Sequence, residues 1–595
     1  MAAAFTINYD FIPEANIEHY YSSGNAETEV EVQSPDAKYG YEPFKFTKIQ
    51  NYNPIYSLFF KMRDTNYNRI TLNHKYRVIN SNQIMGVSGE VINRPVYFKF
   101  SPLIDHLTYM TSEIETPMDV LPSWEHDNSP TNENRIMRYN NMAYTDGFFY
   151  FLSSKMMHTH NFLHGLDYYG SFVGIQKVFK FDLWDDMYES ICDSKYFNDN
   201  LGKLFHLNLD DEFISAQNDL SSWSRCNRPA LEFSGEEISP DELEFDEVIN
   251  NNTTNVEDES SINVGPTVEL NPEVELNPEG SDEEEEELED DVINSEESDS
   301  DESNSNEDED EDEDDKDEDD KDEDDKDEDD KDEDEEEDEE SSYMTGVVAT
   351  ETYIPNFPVH MICIEKCDGV FEDLLKNREL DDAQCIAAMA QVVFALLTYQ
   401  RAFHLTHNDL HTRNIMYVAT DIKHLYYKYN HLTYRVPTYG RIFKIIDFGR
   451  AIYKFRGKIM CSDSYSPDGE AEKLFNTEPY FDPEKKRVDP NPSFDLCRLA
   501  TSAFDLSETR RDLPVFRELM RRWCMDDRGK NVYVKKNGEE RYPGFKLYMM
   551  IARLVHAHTP ESQLKQKEFK RFLYNGKDVD KHQVININAI PNYTM

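Results

Sequence analysis

Two polar residues form the most informative pattern in this sequence. Asp409 and Asn414 stand five positions apart in HLTHNDLHTRNIMYV, between an apolar stretch with helical periodicity and one with strand character. A carboxylate can orient an attacking hydroxyl and accept its proton, and an amide oxygen can help to hold Mg²⁺. A short loop can present both groups to one cleft, as phosphoryl transfer requires. Capping of strands and turns is the structural alternative for these residues.

A second carboxylate follows the next strand-like run. Asp447 lies in KIIDFGRA, residues 444–451, after the apolar residues and before Gly449. A carboxylate at this position can bind a Mg²⁺ that bridges nucleotide phosphates. Phe448 is expected to pack beneath it, and Gly449 permits the turn that follows.

The two motifs, taken in order, resemble the protein kinase superfamily. HNDLHTRN is similar to the catalytic loop HRDxxxxN, and IIDFG is similar to the metal-binding DFG segment. The resemblance implies ATP and Mg²⁺ as cofactors, with Asp409 as the catalytic carboxylate and Asn414 and Asp447 as metal ligands. It also implies transfer of the ATP γ-phosphate to a protein hydroxyl, on serine or threonine. The wording of KFSPL, GLDYYGS, THNDLHTRNIM and IIDFGRA is most similar to kinases of nucleocytoplasmic large DNA viruses.

Further residues match the family pattern less specifically. VYFKF places Lys99 like the strand lysine that holds the nucleotide phosphates, and MGVSGEV offers Gly86 and Gly89 for the phosphate-covering turn. The main chain of Glu365 and Cys367 is expected to meet adenine. Asp495 in SFDLCRLA resembles the buried aspartate that braces the catalytic loop.

The chain also departs from the family pattern. No GxGxxG precedes Lys99, and the helix that should offer it a glutamate contains none, Asp146 being the nearest acid. Asn408 replaces the arginine that commonly pairs with a phosphorylated activation loop. We therefore predict that activity does not require phosphorylation within the segment after the DFG motif, at Ser462, Ser464, Tyr465 or Ser466.

Two other functions remain open on the sequence alone. DLHxxN is also found in small-molecule kinases of the aminoglycoside and choline type, although DFGRA favours a protein kinase. The missing glutamate and the irregular glycine turn would suit a nucleotide-binding pseudokinase that acts as a scaffold. A zinc site at His404, His407 and His411 is not favoured, because these residues span a helix end and a loop rather than one helical face.

An acidic segment carries nearly all of the net charge. Residues 231–340 contain 59 Asp and Glu against four Lys, a net charge of −55 within a total of −60. Like charges at this density repel, and nothing apolar offsets the entropy of ordering. The segment is predicted to be disordered and to be able to bind basic partners. Inserting a loop of about 160 residues costs roughly 3 kcal/mol of closure entropy, which a large fold can absorb.

Composition also indicates the cellular compartment in which the protein is expected. Eight scattered cysteines without CxxC pairs indicate neither a disulfide framework nor a zinc ribbon. The sequence starts without a signal-peptide pattern and has no run of 18 apolar residues. We expect a cytoplasmic protein, in a host cytoplasm or virion if viral, with a protein substrate and neither membrane nor direct nucleic-acid binding.

The helices and strands predicted to position these residues follow one another in the mixed order of an α+β fold. Strands are predicted at 75–78, 87–91, 96–100, 163–176, 359–365, 414–419 and 442–446, and helices at 147–158, 381–403 and through most of the remainder. The resemblance implies a two-lobed fold with a small β-rich N-lobe and a larger, mainly helical C-lobe. The predicted division is an extension at 1–40, an N-lobe with inserts at 41–225, a disordered acidic insertion at 226–345, the last N-lobe strand and hinge at 346–367, and a C-lobe and tail at 368–595.

Overall fold

The computed structural model shows a mixed α+β protein. It describes residues 4–15, 35–114, 118–184, 191, 194–208, 349–467, 469–576 and 584–595. Contacts group Met1–Glu236 with Thr345–Met595 into one unit, whereas the second unit, Glu237–Met344, lies outside the described residues. The predicted disorder of the acidic insertion at 226–345 therefore also lies outside the described residues.

The helices and strands alternate along both parts of the chain. The described α-helices are Pro35–Tyr39, His106–Thr111, Met142–His160, Lys195–Asn200, Phe371–Lys376, Asp382–Phe403, Phe494–Glu508, Pro514–Trp523, Phe545–Leu554, Pro560–Gln563 and Lys567–Lys570. The described strands are Tyr9–Phe11, Phe46–Gln50, Ile70–Leu72, Tyr76–Asn80, Gln83–Gly86, Val91–Asn93, Val96–Pro102, Tyr168–Trp184, His206–Leu207, Ala349–Glu365, Gly369–Val370, Ile415–Ala419, His424–Tyr429, Leu432–Pro437, Arg441–Ile445, Tyr453–Phe455, Lys458–Met460 and Val584–Asn586.

An antiparallel sheet joins the sequence before the acidic segment to the sequence after it. Ala349–Glu365 lies between Val96–Pro102 and Tyr168–Trp184, and Phe46–Gln50 extends the far edge. Lys99 pairs with Ile362 in this register. The long-range pairing fixes Lys99 relative to residues far along the chain.

A buried helix covers this sheet. Met142–His160 has aromatic residues on several faces, and nearly all of its first 13 residues are buried. Such all-round burial is typical of a core helix. Gly147 is required where the helix meets the sheet, because a Cβ at this position would lie 2.5 Å from Cε1 of His360.

A second helix organises the region after the sheet. Asp382–Phe403 begins with a capping box between Asp381 and Gln384, and most of its residues are buried. Its length and composition would suffice to cross a membrane, but 83% of its most apolar window is buried in the protein. This is weak evidence for a membrane span and agrees with a core helix.

Several predicted elements differ in detail from the structure, among them the predicted strand at 163–176, which is observed as Tyr168–Trp184. Residues 87–91 do not form one strand, because 87–90 make the turn between Gln83–Gly86 and Val91–Asn93. The exposed Val87 lies at this turn. The region after 419 also contains a hairpin, His424–Tyr429 with Leu432–Pro437, that the helical prediction omitted.

The described residues on the two sides of the stretch 209–348 lie next to each other. The N–H of Asn208 donates to the carbonyl of Glu351 at 2.8 Å, and His206 pairs with Tyr353. A connection between two such close points does not have to span the fold.

Deleting residues 231–340 is therefore expected to preserve the fold. For a disordered connection, the shorter loop should raise the unfolding free energy by about 1 kcal/mol, because less closure entropy is lost on folding. Denaturant unfolding of the deletion variant measures this change. A variant carrying an uncharged Gly/Ser segment of the original length separates the effect of length from that of charge. Failure of the deletion variant to fold would mean that the segment contains a required structural element.

Candidate active site

Lys99 lies between two carboxylates from distant parts of the chain. Its Nζ is 2.7 Å from Oδ2 of Asp146 and 2.8 Å from Oδ1 of Asp447. The side chains of Lys99, Asp146 and Asp447 expose 23%, 2% and 49% of their surfaces. The sheet, the buried helix and the segment after Arg441–Ile445 therefore meet at one ionic cluster whose Asp447 end is open.

Backbone hydrogen bonds hold the acidic partners in place. The N–H of Phe448 donates to Oδ1 of Asp146, and the N–H of Asp447 donates to the hydroxyl of Tyr150, both at 2.8 Å. Asp447 has a left-handed backbone with φ of 66°. The helix Met142–His160 thus fixes the conformation of the Asp447 segment as well as contacting Lys99.

Burial and charge act in opposite directions on the cluster. Burial alone would lower the pKa of Lys99, but the carboxylates of Asp146 and Asp447 raise it well above its usual value. Burial would raise the pKa of Asp447, but Lys99 holds it at about 2. Burial raises the pKa of Asp146, and Lys99 opposes this shift. Lys99 and Asp447 are therefore charged at neutral pH.

The loop containing Asp409 is braced by a buried carboxylate. Asp495, in the helix Phe494–Glu508, accepts hydrogen bonds of 2.9 to 3.0 Å from the N–H groups of His407 and Asn408. Burial raises the pKa of Asp495, and the neighbouring His407 and these two N–H groups oppose the rise. Asn408 has a φ of 63°, a left-handed conformation that Asn tolerates better than most residues. The predicted brace contact of Asp495 is present.

Strand pairing brings Asn414 beside Ile446, the residue before Asp447. Ile415 pairs with Ile445, and the carbonyl of Asn414 accepts a hydrogen bond from the N–H of Ile446 at 3.0 Å. The side-chain amide nitrogen of Asn414 donates to the carbonyl of Asp409 at 3.0 Å. The amide oxygen is therefore the group of Asn414 that can act as a ligand.

Asp409 has a partner on each carboxylate oxygen. The hydroxyl of Tyr548 donates to Oδ1 at 2.9 Å, and Nη1 of Arg450 lies 3.5 Å from Oδ2. Burial alone would lower the pKa of Arg450, but Asp409 raises it. The carboxylate thus faces one neutral hydroxyl donor and one permanent cation.

Asp447, Asn414 and Lys99 offer ligand atoms and a charge that suit a magnesium-bound nucleotide. Asp447 contributes an ionised, half-exposed carboxylate, and Asn414 contributes an amide oxygen whose nitrogen is already used. Hard oxygen ligands of this kind are those that Mg²⁺ prefers. Lys99 adds a positive charge suited to phosphate. The residue types fit both groups.

The expected adenine contacts are only partly available. The N–H of Glu365 donates to the carbonyl of Asp167 at 2.9 Å, and its carboxylate accepts from Nζ of Lys444 at 2.8 Å. The N–H of Glu365 is therefore already paired within the fold, and the expected main-chain contact with adenine stays a prediction for its carbonyl and for Cys367. Cys367 follows the end of the strand Ala349–Glu365, and burial raises the pKa of its thiol to about 12.

The two predicted glycines form a tight turn in a separate small sheet. The N–H of Gly89 donates to the carbonyl of Gly86 at 3.0 Å, and Gly89 has a φ of 84°. Within the described residues, no hydrogen bond connects this turn to Lys99 or Asp447. The assignment of Gly86 and Gly89 to a phosphate-covering turn therefore stays a prediction.

Of the three histidines near the loop, His407 has a structural role in the fold. Nε2 of His407 donates to the carbonyl of Ile446 at 2.9 Å, and its buried ring packs near Phe448 with centroids 5.4 Å apart. In the part of the chain that the structure describes, no three His, Cys, Asp or Glu side chains form a metal-binding group. His407 serves to link the loop to the strand before Asp447.

A buried aspartate ties the segment after Asp447 to the helix that carries Asp146. Oδ1 of Asp463 accepts from the N–H of Met142 at 2.9 Å, and Oδ2 accepts from Nε of Arg135 at 2.8 Å. The side chain of Asp463 is fully buried. An anion at a helix N-terminus is electrostatically favourable, so Asp463 stabilises the start of Met142–His160.

Sequence reasoning missed the roles of Asp146 and Asp463. The predicted helix began at Gly147, which left Asp146 outside it, whereas the observed helix begins at Met142 with Asn141 as its N-cap. Asparagine before an apolar periodic run is a known start signal, and applying it would have included Asp146. No comparable local signal marks Asp463, because its partners lie over 300 residues away.

Comparisons with known proteins add no further assignment. No family model matches this chain, and no curated protein matches its sequence.

Proposed function

We propose that this chain is a protein kinase that transfers the γ-phosphate of ATP to a protein hydroxyl, on serine or threonine, in a Mg²⁺-dependent reaction. The observation that carries the proposal is Lys99 held between Asp146 and Asp447. A partly buried lysine paired with a helical carboxylate and aimed at a second, half-exposed carboxylate suits binding of phosphate and metal together. Asn414 is hydrogen-bonded to the Asp409 loop through its side chain and to Ile446, the residue before Asp447, through its carbonyl.

The proposal includes a two-lobed protein-kinase-like fold. The sheet with Lys99 and the helix Met142–His160 would form the smaller lobe, and residues 368–595 would form the larger one. Cys367 would lie at the hinge between them. The helix supplies aspartate where the family pattern has glutamate, and the 2.7 Å contact to Lys99 supports Asp146 as the substitute.

Each polar residue has a distinct task in this mechanism. Bound Mg²⁺ and ATP would supply the phosphoryl group and neutralise its charge. Lys99 would contact the phosphates, and Asp447 and Asn414 would hold the metal. Asp409 would orient the acceptor hydroxyl and take its proton, with Arg450 stabilising the carboxylate. These groups are held by hydrogen bonds before any substrate arrives, which is the preorganisation that electrostatic catalysis needs.

Labelled ATP separates this function from its alternatives. We expect the purified chain to transfer label to a protein mixture, with the modified residues identified by phosphoproteomics. The same assay with aminoalcohols and aminoglycosides tests the small-molecule alternative. Nucleotide binding without transfer to any acceptor would favour the pseudokinase and contradict the proposal. An Asp409→Asn variant controls for contaminating kinases.

Transfer is also predicted to proceed without phosphorylation of the segment after Asp447. Ser462, Ser464, Tyr465 and Ser466 are buried, and the Asn408 side chain donates directly to the carbonyl of Arg450 at 2.9 Å. The buried carboxylate of Asp463 already supplies a fixed negative charge. We expect a variant with the three serines changed to alanine and Tyr465→Phe to keep the transfer rate within about twofold. Ser462 and Ser464 pair with each other, and the carbonyl of Arg450 that Tyr465 faces keeps its bond from Asn408, so these acceptors are not left unpaired.

Two choices make this test decisive: Tyr465 is changed to phenylalanine rather than alanine, and Asp463→Asn serves as a contrasting variant. Alanine at Tyr465 would remove a buried aromatic ring, which typically costs about 3 to 5 kcal/mol. Asp463→Asn removes only the charge that Arg135 faces, and it should lower both the transfer rate and the melting temperature. A large loss of activity in the serine and phenylalanine variant, at an unchanged melting temperature, would contradict the prediction.

A further inference from the structure

Tyr548 donates a hydrogen bond to an oxygen of Asp409 that could also receive one from an acceptor hydroxyl. Its hydroxyl donates to Oδ1 at 2.9 Å, a normal hydrogen-bond distance. A general base must be within hydrogen-bond reach of the proton that it accepts. Tyr548 and Arg450 each face one carboxylate oxygen, so an acceptor hydroxyl that approaches Oδ1 from the side of Tyr548 has to replace the Tyr548 contact.

Tyr548 is the partner that an acceptor can replace at the lower cost. An acceptor hydroxyl and the phenol of Tyr548 are both neutral donors, so their exchange leaves the charge pairing unchanged. Displacing Arg450 would instead leave a partly buried cation without its carboxylate, which is costly. Burial also raises the pKa of Tyr548, so the phenol stays protonated and able to donate.

The ring of Tyr548 is supported by the helix that also braces the loop. The guanidinium of Arg498 lies 4.7 Å from the ring centroid, and Phe494 lies 6.3 Å from it. Phe545, on the same helix as Tyr548, stacks on the ring at 5.7 Å. Because Asp495, Phe494 and Arg498 share the helix Phe494–Glu508, the Tyr548 ring and the Asp409 loop are positioned by one rigid element.

We propose that Tyr548 is an internal competitor for the acceptor position, so that only a substrate able to displace its hydroxyl from Asp409 reaches the catalytic carboxylate. This inference rests on the proposed kinase function and adds a specificity-determining residue to it. Substrates that bind weakly around Asp409 would be excluded, because they cannot supply the free energy needed to break the contact.

The test uses Tyr548→Phe in the full chain with dephosphorylated casein or myelin basic protein, whichever accepts label. Removing the hydroxyl should lower the KM for the acceptor about tenfold, as expected when the competent state is a minor one. The KM for ATP and kcat should stay near their wild-type values. The dissociation constant of the acceptor without nucleotide should fall by a similar factor, which provides a readout independent of turnover.

Tyr533→Phe is the matched control. Tyr533 donates to Oδ2 of the exposed Asp505 at 2.7 Å, so this variant also loses a phenol-to-aspartate hydrogen bond, but away from Asp409. It should leave the acceptor KM unchanged. A second variant, Tyr548→Ala, should lower the acceptor KM at least as far as Tyr548→Phe if the ring adds to the obstruction.

Three results would overturn the inference while wild-type transfer remains intact. The first is an unchanged acceptor KM and dissociation constant in both Tyr548 variants. The second is a fall in kcat alone, which would make Tyr548 a residue that orients Asp409. The third is phosphate found on Tyr548 itself. If the wild type transfers no phosphate to any acceptor, the proposed function fails instead. The two failures are therefore distinguishable.

Discussion

Asp409→Asn is expected to lower turnover by about 10³-fold, because a positioned general base typically contributes 10² to 10⁴. Nucleotide binding should stay measurable, since the proposed phosphate and metal contacts come from Lys99, Asn414 and Asp447. The asparagine can still accept a hydrogen bond from Tyr548, so the local packing is retained. Steady-state transfer assays combined with binding of a fluorescent nucleotide measure both quantities on the same variant.

The same substitution at Asp505 provides the comparison. Asp505 also accepts a hydrogen bond from a tyrosine, but it lies on the exposed side of the helix Phe494–Glu508. Asp505→Asn should leave turnover unchanged, which separates loss of the base from general loss of a carboxylate. Wild-type turnover in Asp409→Asn would remove Asp409 from the mechanism.

Asp447→Asn should abolish Mg²⁺-dependent nucleotide binding. Asp447 is the ionised, half-exposed carboxylate of the cluster, with a pKa held at about 2 by Lys99 against the effect of burial. Even loss of groups that only support a metal ligand costs 10- to 100-fold in metal affinity, so loss of the ligand itself should cost at least about 100-fold. Lys99 keeps its contact with Asp146, so the fold should survive.

Calorimetric titration with and without Mg²⁺ tests this expectation directly. The control is Asp482→Asn, which also removes an aspartate that faces a lysine, here the exposed Lys485 at 3.6 Å. It should bind nucleotide like the wild type. Unchanged Mg²⁺ dependence in Asp447→Asn would contradict its assignment as a metal ligand, whereas loss of folding would be visible as a lower melting temperature.

The sequence predicted elements best where the local pattern was long and apolar. The helix predicted at 381–403 is observed as Asp382–Phe403, because its apolar periodicity spans many turns. The strand predicted at 359–365 is much longer in the structure, Ala349–Glu365, since pairing with Tyr168–Trp184 extends it. The short predicted strand at 87–91 failed because Gly89 favours a turn.

The identities of the main candidate residues were determined by the sequence itself. Asp409, Asn414 and Asp447 are recognisable because the chemistry requires particular side chains at short spacings, and such spacings are visible in a linear chain. The carboxylate partner of Lys99 was not recognisable in the same way. Asp146 departs from the expected glutamate, and its contact depended on where the helix began.

Only the tertiary structure decided how these residues are held and shielded. Lys99 and Asp447 are 348 positions apart, and Asp409 and Tyr548 are 139 apart. Contacts over such separations depend on how helices and sheets pack, because packing, rather than local propensity, sets which side chains meet. The sequence therefore named the groups that could do chemistry, and the fold determined the ion pair, the Asp463 contact and the tyrosine that covers the proposed base.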